Sequence, residues 1–72
     1  MPRMTRDEWL ARFAAELGTD PPEPSEIDAL LDLAGTAAHA SERQAAPLTC
    51  WLAARAGVAP GDALDIARRI AG

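Results

Sequence analysis

The stretch SEIDALLDLAGTAAHAS, from Ser25 to Ser41, decides the fold. Ile27, Leu30, Leu31, Ala34, Ala37, Ala38 and Ser41 recur there at helical spacing and form one stripe. Ser25 reads as an N-cap, with Glu26 in the first turn and Asp28 three residues on. The stripe tapers from large residues to small ones, so its far end is expected to cross a neighbouring helix closely. Gly35 in its middle costs about 1 kcal/mol relative to Ala. The pattern predicts a helix over about 26–42.

Upstream, Gly18-Thr-Asp-Pro-Pro-Glu-Pro-Ser25 carries three prolines, and the residue before each is pushed away from helical geometry, so the segment reads as an extended connector. Before it lies a first helix, about 6–17. Thr5 and Glu8 have capping-box spacing, Asp7 adds negative charge to the first turn, and Gly18 is the C-terminal stop. Its stripe of Trp9, Leu10, Phe13 and Leu17 has the pattern of a core face. Downstream, Ala46 and Pro47 end the central helix, and Pro47 suits the first turn of a third, about 47–56. That helix is expected to turn Leu48, Trp51 and Leu52 inward and to stop at Gly57. A fourth, about 61–71, has Asp62 near its start, Leu64, Ala67 and Ile70 as its stripe, and Arg68 and Arg69 at its C-terminal dipole.

These four helices imply an all-α, four-helix bundle-like domain spanning 1–72. The composition agrees: 17 of the 72 residues are Ala, all seven basic residues are Arg, and both are strong helix formers. A chain this short buries only about 60% of its unfolded surface, so its core is marginal and suited to completion by a partner or a homodimer. Leu33 and Ile66 lie off their stripes and are expected to be exposed and covered by such a partner.

The net charge of −4 is uneven: residues 1–36 hold three Arg against eight acids, and 37–72 hold four Arg against three. No clustered basic face suits nucleic acid. No apolar run approaches the ~18 residues of a membrane span, and no apolar leader opens the sequence, so a cytoplasmic protein is expected. The one cysteine, Cys50, cannot form an internal disulfide and reads as a small buried hydrophobe.

The chain has one His and one Cys, and no third residue is placed to orient Cys50 and His39 as nucleophile and base. His39 and Glu42 are a lone ligand pair, short of the three or four ligands a metal needs. No phosphate loop is present. No catalytic residue, metal or cofactor is therefore assigned, and a non-enzymatic role is expected.

The most informative segment runs from His39 through Glu42 and Arg43 to Pro47, Leu48 and Thr49. His39 and Arg43 stand four apart at the end of the helix and are expected to point the same way, with the Arg43 guanidinium placed to bind the terminal carbonyls or a partner's carboxylate. Two readings remain open. His39 and Arg43 could cap the central helix while Thr49 bonds into the start of the next, or His39, Glu42, Arg43 and Thr49 could form a polar recognition spot. Trp9 and Trp51 are ambiguous in the same way, as core residues or as interface anchors.

Several of these segments together resemble a known family. Glu8-Trp9-Leu10, the run Ile27 to Ala34, Ala38-His39, and Glu42-Arg43 followed by Ala45-Ala46-Pro47-Leu48-Thr49 are similar to an actinobacterial small helical domain of unknown function. That domain occurs alone or fused behind a molybdenum cofactor guanylyltransferase, often encoded near formate dehydrogenase-like molybdoenzymes. Gln44 stands where the family pattern has proline, which frees the turn without removing a chemical group. The resemblance implies that His39, Glu42, Arg43, Pro47 and Thr49 are motif residues. It implies an accessory domain in maturation or delivery of molybdopterin guanine dinucleotide, docking on the guanylyltransferase or the recipient molybdoenzyme. The alternatives are a small structural subunit of such a molybdoenzyme and a binder of an anionic pterin or nucleotide.

Overall fold

The computed structural model describes residues 3–72. Four helices follow in order: α1 (Arg6–Leu17), α2 (Pro24–Ala40), α3 (Ala45–Arg55) and α4 (Pro60–Ala71), and no strand occurs among the described residues. The domain is all-α.

The helix ends follow local chemistry. Thr5 caps α1 by accepting a hydrogen bond from the Glu8 N–H at 3.1 Å. Gly18 closes the helix in the left-handed region, φ 78°, donating to the Ala15 carbonyl while Thr19 donates to that of Ala14. Gly57, φ 72°, ends α3 in the same way, with Val58 donating to Ala53.

The central helix begins two residues earlier than its expected start. Pro24 occupies the first helical position, where its missing N–H costs nothing. The Glu26 carboxylate reaches back to accept from the Glu23 N–H at 2.7 Å. Ser25 is therefore inside the first turn and Glu23 is the cap. At the other end α2 stops at Ala40, because Ser41 leaves helical geometry at φ −139°, ψ −106°. Likewise α3 starts at Ala45, with Pro47 in its first turn, and α4 at Pro60.

Packing centres on α2, which lies against both α3 and α4. The chain turns back into α3, bringing the Cys50 thiol to 4.0 Å from the Leu30 carbonyl. Then α4 runs alongside α2, with Ala63 and Leu64 against Leu33. Leu33 is the most buried large side chain, 1% exposed, whereas Leu31, read as a stripe residue, is 56% exposed. The reason is that α2 serves two neighbours, so its buried face is centred on Leu30, Leu33, Ala34 and Ala37.

The inward face of α3 is Ala46, Thr49, Cys50 and Ala53, all half-buried at i, i+3, i+4, i+7 spacing. Small residues here bring the two backbones close, and the large Leu48, Trp51 and Leu52, expected inward, are exposed instead. In α4, Leu64 and Ala67 pack as expected, but Ile70 is exposed.

The first helix also departs from expectation. It belongs to neither packed helix pair, and Trp9, Phe13 and Leu17 are exposed. Only one edge of its stripe is covered, with Leu10 half-buried and Ala14 buried. The shape agrees: the radius of gyration is 13.2 Å and the extents are 41 × 28 × 18 Å. A compact 72-residue domain would measure about 11 Å.

Candidate functional site

The motif residues fall at the corner between α2 and α3. His39 is exposed in the last turn of α2, and Glu42 and Arg43 are exposed in the connection. Because α2 ends at Ala40, His39 and Arg43 do not share a helix face. Pro47 is exposed in the first turn of α3, and Thr49 is half-buried toward α4. Among the described residues no hydrogen bond or ion pair uses the side chains of His39, Glu42, Arg43 or Thr49. The corner is held by backbone alone, Ala45 N–H to Glu42 carbonyl at 2.9 Å and Ala46 N–H to Arg43 carbonyl at 3.2 Å. Neither helix capping by His39 and Arg43 nor a bond from Thr49 accounts for the motif.

From this corner an exposed line continues along the outer face of α3. Pro47, Leu48, Trp51 and Arg55 follow one another at helical spacing, opposite the face that packs on α2. The Arg55 guanidinium lies 5.0 Å from the centre of the Trp51 ring. Trp and Arg are the residues that anchor protein interfaces most often.

A second apolar feature lies on the adjacent side of α3. A cleft of about 230 Å³ opens between α3 and α4, floored by Leu33 and walled by Thr49, Leu52, Ala56, Ile66 and Ile70. No α1 residue lines it. Ile66 is exposed, as its place off the α4 stripe implies, but it also walls a cleft that the pattern of no single helix reveals. The available signal was the width of the apolar arc on α4, where Ile66 and Ile70 flank the Ala63, Leu64, Ala67 face that packs on α2.

A match to the model of a domain of unknown function extends over residues 1–72. The chain belongs to the DUF6457 family. No curated protein and no solved structure matches the DUF6457 domain described here.

Cys50 packs beside Leu30, nine residues from His39 and so about 13 Å along α2. Burial pushes its thiol above the ordinary value, away from the thiolate a nucleophile needs. Among the described residues no three His, Cys, Asp or Glu side chains converge on a metal position, and no helix is long and apolar enough to cross a membrane.

Proposed function

We propose that this DUF6457 domain is a non-enzymatic docking module. The observation that carries the reading is the exposed line Pro47, Leu48, Trp51 and Arg55 leading into the unpaired Arg43 at the α2–α3 corner. An apolar centre with arginines at its margin is the composition of a protein interface, and it is formed before any partner arrives. The residues come from α3 and the turn that starts it, so the backbone fixes their spacing.

The partner we propose is a molybdenum cofactor guanylyltransferase or the molybdoenzyme that receives the cofactor. Support for it is the sequence resemblance in the segment Glu42 to Thr49, which is the same segment that forms the exposed corner. Arg43 would engage a carboxylate on the partner and Trp51 would fill an apolar pocket. The decisive experiment is affinity purification of the tagged domain from its own host, with Arg43→Ala and Trp51→Ala in parallel. The expected result is capture of a molybdenum-cofactor protein by the wild type, lost in both variants while their helicity is unchanged. Equal capture by Trp51→Ala would refute the assignment of the α3 face.

A further inference from the structure

Two apolar surfaces remain outside that docking face, and they match each other. One is the α1 stripe of Trp9, Phe13 and Leu17, which are 56%, 51% and 65% exposed. The Trp9 and Phe13 rings stack at 5.9 Å between centroids with an interplanar angle of 11°, presenting one continuous apolar ridge. The other is the cleft between α3 and α4, whose rim residues Leu52, Ile66 and Ile70 are 59%, 41% and 81% exposed. A ridge on a helix and a groove between two helices are the two halves of helix-in-groove recognition.

We infer that the α1 ridge of one copy occupies the α3–α4 cleft of a second copy, in a reciprocal dimer. Area supports the choice of occupant. Large side chains present about 200 Å² each when fully open, so the fractions above give roughly 350 Å² on the ridge and a similar area on the rim. A single ridge-in-cleft contact thus buries about 700 Å², the size of a packing contact. The reciprocal arrangement doubles this to about 1,400 Å², within the range of stable interfaces. Two-fold symmetry provides the doubling without any further surface.

Charge points the same way. In α1, Arg6 and Arg12 stand against Asp7, Glu8 and Glu16, a net −1, while α3 and α4 carry Arg55, Arg68 and Arg69 against Asp62 and Asp65, a net +1. The connector argues against closure within one chain. Pro21, Pro22 and Pro24 restrict the backbone between α1 and α2, and the resulting geometry leaves α1 off its own cleft.

The inference is independent of the molybdenum-cofactor reading, since it concerns α1 and the cleft and leaves Arg43 and Trp51 free. Its test is the mass of the full chain by light scattering, for the wild type, Phe13→Glu and Ile70→Glu. Both substitutions sit on exposed positions outside the core, and circular dichroism checks that each variant keeps its helices. The wild type should have twice the mass of the chain. Each variant should be monomeric, with self-association weakened about 100-fold by a carboxylate set against an apolar wall.

Two results would overturn the proposal. The first is a wild type that stays monomeric at about 100 µM, well above the micromolar limit for interfaces of this size. The second is dimerisation that survives Ile70→Glu, which would assign the contact to ridge against ridge. Loss of partner capture in the purification above would leave both readouts unchanged.

Discussion

Leu33→Ala is the substitution that most directly tests the packing, and Leu31→Ala is its control. Leu33 is 1% exposed and meets Ala63 and Leu64, with Leu30, Cys50, Ala53, Val58 and Ala67 packed around them. Replacing a buried leucine by alanine costs about 2–5 kcal/mol, depending on how far the site collapses. The α3–α4 cleft opens beside Leu33, so its surroundings are freer to relax than a closed core, and a cost of about 3 kcal/mol is expected.

A 72-residue domain has a total stability of roughly 4–11 kcal/mol, so this loss removes at least a quarter of it. For a domain of this size 1 kcal/mol moves Tm by about 4–8 °C, which gives a fall of about 12–24 °C. Leu31 is 56% exposed, and its truncation should cost no more than about 0.5 kcal/mol. The assay is urea and thermal unfolding followed by circular dichroism, at one protein concentration so that self-association contributes equally. A Leu31→Ala cost equal to or larger than that of Leu33→Ala would refute the packing of α2 described above.

Two further outcomes follow from chemistry local to one residue. The chain has no Lys and no Tyr, so the Cys50 thiol is the one side chain whose ordinary range lies in mild alkali. Its raised value means that the folded state holds the proton more tightly than the unfolded state. The resulting stabilisation is full below the thiol's ordinary range and is lost as pH rises through the folded value. Unfolding from pH 8 to 10.5 should therefore show a decline that Cys50→Ala abolishes. For the glycines, a Cβ on Gly35 meets nothing within 4 Å, and Gly35→Ala should stabilise by about 0.5–1 kcal/mol. Gly57→Ala, at φ 72°, should destabilise by about 1–2 kcal/mol although its Cβ position is equally open. Thermal unfolding of both reads the contrast.

The number, order and type of the helices were legible because each has chemistry at its ends that needs no tertiary context. Thr5, Gly18, Pro47 and Gly57 act where their residue types indicate. Boundaries were misplaced where two signals competed. Pro24 and Ser25 both suit a helix start, and the proline at the first position prevailed. His39 and Arg43 seemed to share a face only because the stripe running to Ser41 hides a helix that ends at Ala40.

The inward faces were harder to read for a different reason. Periodicity finds an apolar arc but not its centre, and in α3 the arc is split between small residues that pack and large ones that do not. Assigning the larger residues to the core was the wrong rule for Trp51 and Leu52. A hub helix with neighbours on two sides also widens its buried face, which is why Leu33 was set outside and Leu31 inside. That His39, Glu42, Arg43 and Pro47 lie where two helices meet was legible from Pro47 and the end of the central stripe, while the cleft depended on the angle between α3 and α4, which no single helix encodes.

The separateness of α1 gives its two caps an influence over distance. A 12-residue helix in water sits near the length below which helical order is marginal, and with only the Leu10 and Ala14 edge of α1 covered its order depends heavily on its caps. Any surface that recognises the ordered ridge sees only the helical fraction, and an ordered population of about one tenth would weaken apparent affinity about tenfold. Thr5 and Gly18 set that fraction. Substitutions at these two positions would then retune recognition through the helix–coil balance of the free chain, with every contact to the bound surface left as it was.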